Sequence, residues 1–584
     1  MNVAPDRWGA TPAGAVITTA LRIALPLLAL VALNSALSFR NWWPTPGILL
    51  DHRLAPELVA LWLLLLIAVA RRGALSRRAL AAISLTYLML VLGRYADVTV
   101  PALFGRPVSL YWDGQQIPRF LWVTAREHSV WLSVGVIAAV IALLASLYAV
   151  LRWAVGTVGR DAVPYALRAP WTWALTLSAV TVVAAHEAGT VPSLTWHLVT
   201  KPVTPTYWRQ AALLATASTP GRLAKVMPPS PALEAAMAKP PEVALGGLRG
   251  RDFKLLFLES YGAGVYDDSR IAPQLSQARR RLEAEIAASG RLVASAFVRS
   301  PTFAGASELA HLSLLSGVDL TDPLRHDLLL TTKRPSLTSL FRRAGYQSVG
   351  LYPALSWDWA EGAYYGFDLF IDGRDLDYRG PPLGYWNIPD QFSLARFDEM
   401  HPVRPDSPPR FLFFPTITSH LPFGPVPPYQ ADWRRLLTPD PFGAEESRRL
   451  MKAHIDWLDM LPNYVGMFDY TYRWLGGYLQ RPEPRESVML WVGDHQPASS
   501  VSGEGASWDV PVHLVTRDPA LLERFVALGF RAGLEPHHPA VGGMHELTAL
   551  LIQAFEARRS ANDLQGGDRV VEGGIDTEPM PPGT

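Results

Sequence analysis

The sequence contains no cysteine among its 584 residues. This absence excludes disulfide bonds, cysteine-ligated zinc sites and a cysteine nucleophile. A strong charge of either sign is also missing, because 53 lysine and arginine residues nearly balance 52 aspartate and glutamate residues. This balance gives no indication of the basic surface by which proteins bind nucleic acid. We therefore expect no nucleic-acid partner.

Long apolar runs, in contrast, are concentrated in the N-terminal third of the chain. A transmembrane helix needs about 20 mostly apolar residues. The first run is too long for a signal peptide, and no small-residue cleavage site follows it. We predict a five-helix transmembrane domain over residues 1–190, with spans at Val16–Leu37, Ala55–Ala70, Ala79–Gly93, Val130–Leu151 and Trp171–His186.

Arginine-rich loops predict how these spans cross the membrane. Four arginines lie within Arg71–Arg78, and Arg152, Arg160 and Arg168 lie between the fourth and fifth spans. Loops enriched in lysine and arginine stay in the cytoplasm. We therefore expect a multi-pass protein of the cell (inner or plasma) membrane. Its N-terminus is cytoplasmic, and everything after the fifth span is periplasmic or extracellular.

The rest of the chain reads as a globular domain between a linker and a tail. Residues 191–250 are rich in proline, alanine and threonine, which predicts a linker with short helices. From residue 251, apolar strands such as "FKLLFLE", "RFLFFPTIT" and "SVMLWVGD" alternate with helical stretches. This alternation predicts an α/β domain over residues 251–557, with a mostly parallel sheet covered by helices. Residues 558–584 read as a disordered tail.

Polar residues follow three of the predicted strands. Glu259 follows the first strand, Ser419 and His420 follow the second, and Asp494 and His495 follow the third. In open α/β sheets, sites form beyond the carboxyl ends of the strands. A buried strand that ends in a charge is costly unless the charge is paired or bound to a metal. The three endings therefore predict one site.

A loop of small residues contributes a fourth component. The segment "SPTFAGASELAHLSLLSG", residues 300–317, predicts a helix that begins near Ser307. A serine at or near the N-cap lies where the helix dipole favours an anion. A divalent metal and a helix N-terminus together stabilise a serine alkoxide without a histidine base. Ser307 is therefore a candidate nucleophile, and Thr302 in the same loop is its rival.

Together these features resemble the alkaline phosphatase and sulfatase superfamily. Members of that superfamily have a glutamate after the first strand, a serine or threonine opening a helix, and "GDH" after a late strand. With the five spans and the blocks "LES", "TSHLPF" and "GDHQPASS", the chain looks most like lipoteichoic acid synthase and related membrane phosphoglycerol transferases. In sulfatases a Thr-Gly pair follows the nucleophile cysteine by nine residues. Ser316 and Gly317 stand at that spacing from Ser307, which favours Ser307 over Thr302.

The resemblance implies both a site and a reaction. Glu259, Ser307, Asp494 and His495 would bind one divalent cation, which is Mn²⁺, Zn²⁺ or Mg²⁺. Ser307 would be the catalytic nucleophile, and the catalytic His420 would contact the phosphate or the leaving group. The enzyme would be a membrane-anchored, metal-dependent transferase. It would take a phosphoglycerol-like headgroup from a phospholipid of the outer leaflet, through a covalent serine intermediate, to a glycan or lipid acceptor.

The sequence departs from these families at several positions. Threonine is the usual nucleophile of the phosphotransferases, and His311 stands at the position of a sulfatase arginine. Trp357 and Trp359 flank Asp358, where the glycerol phosphate polymerases have an arginine. The alternatives are a membrane-anchored phosphodiesterase or phosphatase, a sulfatase-like hydrolase, and a phosphoethanolamine transferase, although the last usually carries many cysteines. A pseudoenzyme that binds lipid or glycan is a further alternative.

Overall fold

A computed structural model describes most of the chain between residues 12 and 557. The described ranges are 12–42, 45–104, 130–188, 197–217, 227–330, 332–356, 361–383 and 388–557, with the single residues 108, 114, 219 and 359. The predicted tail at residues 558–584 lies outside them, as do Trp357 and Asp358.

Helices dominate the first 188 residues, and each of the five predicted spans coincides with one. A two-stranded antiparallel hairpin follows the first helix, and a π-helical turn, Val158–Ala162, joins the fourth and fifth helices. Two of the described segments, Arg77–Leu103 and Trp131–Arg168, are long and apolar enough to cross a membrane. The five-span topology therefore stays a prediction. The elements are α1 Pro12–Ser38, β1 Arg40–Asn41, β2 Ile48–Leu49, α2 Pro56–Arg72, α3 Arg77–Phe104, α4 Val130–Thr157, α5 Val163–Arg168 and α6 Pro170–Glu187.

Apolar side chains lie on both the inner and the outer faces of these helices. Leu33 of α1, Leu65 of α2 and Val155 of α4 pack together in a common core. Large apolar side chains also face outward, and Leu143 of α4 and Leu177 of α6 are 67% and 68% exposed. A helix that is apolar all round suits a lipid environment better than water.

The predicted linker contains helices and ends inside the next domain. Ser230 Oγ donates a hydrogen bond to the Ser316 carbonyl at 2.6 Å. Leu233 and Leu248 are fully buried in the core of the α/β domain. The second half of the linker is therefore packed onto that domain. Its helices are α7 Thr204–Ala217, α8 Pro231–Ala238, α9 Pro241–Ala244 and a 3-10 turn, Gly246–Leu248.

An eight-stranded sheet forms the centre of the α/β domain, in the order β10-β4-β9-β8-β3-β7-β5-β6. Five neighbouring strands of this sheet, in the order β8-β3-β7-β5-β6, are parallel to one another. This arrangement confirms the predicted mostly parallel sheet. The strands β9 and β10 run antiparallel to their neighbours, which the sequence pattern did not predict. The strands are β3 Asp252–Leu258, β4 Leu292–Arg299, β5 Gln347–Tyr352, β6 Leu369–Asp372, β7 Arg410–Pro415, β8 Ser487–Gly493, β9 Asp509–Thr516 and β10 Arg531–Ala532.

Helices cover both faces of this sheet and enclose two apolar layers. Along β3, Phe253 and Leu255 face one layer, whereas Leu256 and Leu258 face the other. Such strands are apolar at nearly every position because both faces are buried. The helices are α10 Gly264–Asp267, α11 Ala272–Ala288, α12 Ser307–Ser316, α13 Pro323–Leu330, α14 Leu337–Arg343, α15 Gly362–Tyr365, α16 Asp390–Met400, α17 Trp433–Leu436, α18 Ala444–Met451, α19 Leu461–Leu479, α20 Ser499–Ser502, α21 Pro519–Ala527 and α22 Met544–Phe555.

The register of the two central strands brings two carboxylates to one edge of the sheet. Leu258 at the end of β3 pairs with Gly493 at the end of β8. The next residues, Glu259 and Asp494, therefore leave the sheet side by side. Gly493 has no space for a side chain, because a Cβ atom there would lie 1.9 Å from the Tyr261 carbonyl oxygen.

We expect Gly493→Ala to destabilise the domain by about 1–3 kcal/mol, the usual cost of overpacking a filled core. Gly264→Ala is the matched control, because its Cβ atom would meet its nearest neighbour at an ordinary 3.5 Å. The measurement is the melting temperature of each purified full-length variant. Equal melting temperatures for the two variants would contradict the importance of this close approach.

Candidate functional site

Three buried polar side chains converge at the carboxyl ends of β3 and β8. One oxygen or nitrogen atom each of Glu259, Asp494 and His495 lies within 4.8 Å of the others. His495 Nε2 is 3.5 Å from both Glu259 Oε1 and Asp494 Oδ2. The structure therefore brings together three of the four residues that the sequence predicts as metal ligands.

Ser307 is the fourth member of this cluster. Its Oγ atom lies 3.2 Å from Glu259 Oε2 and 3.1 Å from His495 Nε2. Thr302, the rival nucleophile, is buried and donates its hydroxyl proton to the Gly305 carbonyl at 2.7 Å. In the described part of the chain, the Ser307 hydroxyl contacts Glu259 and His495, whereas the Thr302 hydroxyl contacts neither.

The loop before Ser307 has an unusual backbone. Ser307 is the first residue of α12, and the N-cap is Ala306, which adopts the left-handed conformation with φ 56°. Ala304 and Gly305 also have positive φ, 54° and 136°. A left-handed alanine costs roughly 1–2 kcal/mol, and such strain persists where the surrounding structure imposes it. One restraint is the hydrogen bond from the Ala304 N–H to the Gln496 carbonyl at 3.1 Å.

The segment after β7 fixes the backbone of Glu259. The Glu259 N–H donates to Thr416 Oγ1 at 2.9 Å, and Ser419 Oγ donates to the Glu259 carbonyl at 2.7 Å. Ser260 Oγ also donates to Glu259 Oε1 at 3.1 Å. Tyr464 of α19 donates to the Ser260 carbonyl at 2.8 Å. These hydrogen bonds determine where the carboxylate points.

Among the described residues, only one oxygen of the Asp494 carboxylate has hydrogen-bond partners. Its Oδ1 atom accepts the N–H groups of Ser260 at 2.8 Å and His495 at 2.7 Å. Its Oδ2 atom is buried and has no hydrogen-bond partner in the described part of the chain. Burial and the neighbouring Asp494 charge raise the pKa of Glu259 well above its usual range. A buried oxygen without a partner beside a second carboxylate is costly, and a cation there would offset that cost.

The imidazole of His495 has the tautomer that a ligand needs. Its Nδ1 atom donates to the Gln496 carbonyl at 2.8 Å, because a carbonyl oxygen can only accept. In the neutral imidazole, the Nε2 atom would carry the lone pair, and it faces Glu259, Asp494 and Ser307. Two carboxylates, one imidazole and one hydroxyl suit Zn²⁺, Mn²⁺ or Mg²⁺. The donor set therefore fits a divalent cation.

His420 lies close enough to the cluster to respond to its charges. Burial lowers the pKa of His420, and the charges of His495 and Asp494 also act on it. Its Nδ1 atom donates to the Leu421 carbonyl at 2.7 Å. The imidazole is therefore neutral near pH 7, with its proton on Nδ1.

Two other residues from the sequence analysis lie in the apolar layer beside the cluster. His311 forms a hydrogen bond with the Tyr352 hydroxyl at 2.9 Å and packs on Phe257, and burial lowers its pKa to about 4. Trp359 packs on Tyr352 and Tyr365, with ring centroids 5.0 and 4.6 Å apart. His311 is therefore a neutral core residue one helical turn beyond Ser307.

Some supporting residues had no signal in the sequence. Ser300 Oγ donates to the Asp494 carbonyl at 2.5 Å and so ties the loop before Ser307 to the end of β8. Thr416 and Tyr464 hold the backbone of residues 259 and 260 from two other elements. Serine, threonine and tyrosine are common in every loop and helix, and only the fold reveals these contacts.

Part of this site lies within a segment that matches a known protein family. The sulfatase family model matches residues 290–512, which include Ser307, Asp494 and His495. No curated protein sequence matches the chain.

Several solved structures are distantly similar to the chain. The lipoteichoic acid synthase LtaP of Listeria monocytogenes is 14% identical over 50% of this chain and 71% of its own, with a TM-score of 0.32. The Streptococcus pyogenes phosphoglycerol transferase GacH, in complex with sn-glycerol-1-phosphate, is 12% identical over 49% and 75%, with a TM-score of 0.32. The C-terminal periplasmic domain of Escherichia coli EcEptC is 13% identical over 46% and 72%, with a TM-score of 0.29. The match of the sulfatase family model to residues 290–512 supports the resemblance to the alkaline phosphatase and sulfatase superfamily that the sequence predicts.

Proposed function

We propose that this protein is a membrane-anchored, metal-dependent phosphotransferase whose nucleophile is Ser307. The observation that carries the proposal is the contact of Ser307 Oγ with both Glu259 and His495, at 3.2 and 3.1 Å. Glu259, Ser307, Asp494 and His495 would hold one divalent cation. That cation would supply Lewis-acid chemistry and lower the pKa of the Ser307 hydroxyl.

The first half of the reaction transfers the headgroup to the enzyme. The Ser307 proton is released to water, and Oγ attacks the phosphorus of a phospholipid phosphodiester. The Oγ–P bond forms, the bond from phosphorus to the diacylglycerol oxygen breaks, and the departing alkoxide takes a proton from water. The N–H groups in the first turn of α12 would bind the non-bridging phosphate oxygens.

The second half transfers the headgroup to an acceptor hydroxyl on a glycan or a lipid. The acceptor oxygen attacks phosphorus, and the Oγ–P bond breaks. The departing Ser307 oxygen takes a proton from water, and the proton of the acceptor hydroxyl is finally released to water. A neutral His420 with its proton on Nδ1 is suited to accept the proton of that hydroxyl. This role refines the predicted contact of His420 with the phosphate or leaving group.

The arrangement of the chain favours a lipid donor in the outer leaflet. Helix α3, one of the two segments long and apolar enough to span a membrane, contacts α20. Helix α20 begins at Ser499, four residues after His495. A site held next to a membrane helix meets lipid headgroups at a high effective concentration.

We expect Ser307→Ala to reduce headgroup transfer by at least about 10³-fold, since loss of a nucleophile removes the covalent route. Thr302→Val is the matched control and keeps transfer within a few-fold, because Thr302 contacts the loop and not the ligands. The measurement is product formation from labelled phospholipid, with mass spectrometry of the Ser300–Arg325 peptide. The added mass on Ser307 identifies the headgroup.

An active Ser307→Ala variant would disprove the assignment of the nucleophile. Label that appears only as free headgroup in the presence of glycan and lipid acceptors would show a hydrolase that uses water as the acceptor.

We expect Glu259 to destabilise the metal-free protein as the pH rises, and we expect a bound cation to reverse this effect. Burial and the neighbouring Asp494 charge raise the pKa of Glu259, which favours its protonated form in the metal-free folded state. Its stabilising contribution is complete below the ordinary glutamate pKa and is lost as the pH rises through the raised value. In chelator, the melting temperature of Glu259→Gln should therefore exceed that of the natural protein by a margin that grows with pH.

Saturating Mn²⁺ should invert this order, because the side-chain amide of the Glu259→Gln variant is a weaker ligand than a carboxylate. Cation at 100 times its dissociation constant adds about 2.7 kcal/mol to the stability of the natural protein. A margin that does not change with pH, or equal stabilisation of both proteins by Mn²⁺, would refute the role of Glu259.

We expect His420→Gln to slow turnover by about 10²-fold or more, through loss of general-base catalysis. Because His420 acts in the second half of the reaction, the Ser307 adduct should still form and then accumulate. Quantitative mass spectrometry of the Ser300–Arg325 peptide measures this. A variant that turns over slowly without accumulating the adduct would place His420 in the first step instead.

A further inference from the structure

We propose that a cationic cavity beside the hairpin after α1 binds the phosphate of an anionic phospholipid, whose acyl chains lie along the adjoining apolar surface. The cavity measures about 420 Å³ and is formed by different residues from those of the catalytic cluster. Its lining residues are Arg40, Leu50, Asp51, His52, Arg53 and His197. Holding a lipid there is a binding function that requires no turnover.

Three segments of the chain build this cavity and are hydrogen-bonded to one another. Leu54 donates its N–H to the Leu198 carbonyl at 2.8 Å and accepts the Thr200 N–H at 3.0 Å. These bonds fix His197 on the connector against the segment that carries His52 and Arg53. The cavity is therefore formed by ordered backbone and not by a single loose loop.

Helix α3 is hydrogen-bonded to the hairpin and to the connector. The buried Arg94 guanidinium donates to the Phe39 carbonyl at 3.0 and 3.1 Å and to the Lys201 carbonyl at 3.1 Å. The Tyr95 hydroxyl donates to the Pro46 carbonyl at 2.9 Å. The cavity is thus preorganised, which reduces the entropic cost of binding.

The charges in the cavity leave one guanidinium unbalanced. Arg53 Nη2 pairs with Asp51 Oδ2 at 2.7 Å, so these two charges offset each other. Arg40 is exposed, and its guanidinium has no hydrogen bond or ion pair with any residue that the structure describes. His52 and His197 add imidazole groups that can donate hydrogen bonds. A guanidinium with imidazole donors is well suited to a phosphate group.

The surface around the cavity favours a lipid over a free anion. Trp42 and Leu50 are 61% and 73% exposed, and Ile48 between them is 43% exposed. Exposed tryptophan beside basic residues is typical of the membrane–water interface. A free phosphate ion would gain nothing from these apolar side chains, whereas a diacyl lipid would bury them.

The cavity lies on the same side of the helices as the catalytic domain. It stands at the C-terminal end of α1 and the N-terminal end of α2, where the connector to the α/β domain also begins. Helix α3 contacts both β1 and α20. The cavity and the catalytic domain therefore lie on the same side in either orientation of the helices across the membrane.

The test is lipid binding to full-length protein in detergent. The Ser307→Ala variant with chelator present serves as the background, so that neither turnover nor the catalytic cation contributes. The probe is labelled phosphatidylglycerol, with inorganic phosphate as the competitor. We expect Arg40→Gln to raise the dissociation constant about tenfold, because a charge-assisted hydrogen bond is lost. Arg40→Lys should reduce the lipid affinity less. Arg72 is an exposed arginine at the opposite end of α2, and Arg72→Gln should leave the dissociation constant unchanged.

Three results would overturn the proposal. The first is unchanged lipid affinity in Arg40→Gln, and the second is an equal loss in Arg72→Gln, which would indicate general attraction to anions. The third is displacement of the lipid by millimolar phosphate, which would indicate a free-anion site. Hydrolysis of a water-soluble phosphodiester by Arg40→Gln, with Ser307 intact and metal present, reports separately on the catalytic proposal and should be unchanged.

Discussion

The structure of the site depends on the juxtaposition of two buried carboxylates. The pairing of Leu258 with Gly493 sets Glu259 and Asp494 side by side at the ends of the two central strands. Two like charges in a low-dielectric environment would repel each other, and burial with the neighbouring Asp494 charge therefore raises the pKa of Glu259. One Asp494 oxygen also has no hydrogen-bond partner within the described chain. The fold imposes this arrangement through two hydrogen bonds. The Glu259 N–H donates to Thr416 Oγ1, and the Ser260 N–H donates to Asp494 Oδ1. A cation would convert the repulsion into ligation, and this requirement underlies the proposed chemistry.

The loop before Ser307 directs that residue toward the same two carboxylates. Left-handed alanines at positions 304 and 306 orient the first residue of α12 toward the carboxylates. The Ser300 hydroxyl and the Gln496 carbonyl tie this loop to the end of β8, which carries two of the proposed ligands. Strain in the loop and alignment of Ser307 are therefore two consequences of one packing arrangement.

Sequence patterns predicted the parts of this structure that depend on local signals. Apolar strands that end in Glu259 and in Asp494–His495 have a clear signature, because burial on both faces requires continuous apolar residues. The antiparallel strands β9 and β10 and the hydrogen bonds of Thr416 and Tyr464 depend on contacts distant in sequence. The left-handed conformation of Ala306 had no signal either, since glycine is the residue expected there. The last helices of the predicted linker joined the core because α8 packs beside α22.

The most direct measurement is an anomalous-difference map from crystals of the protein grown with Mn²⁺. The proposed chemistry predicts a single strong peak bounded by Glu259, Asp494, His495 and the Ser307 hydroxyl. The peak should vanish in Asp494→Asn crystals prepared in the same way. A well-ordered site without a peak, or a peak whose ligands do not include Ser307, would contradict the claim that these four side chains form one metal centre.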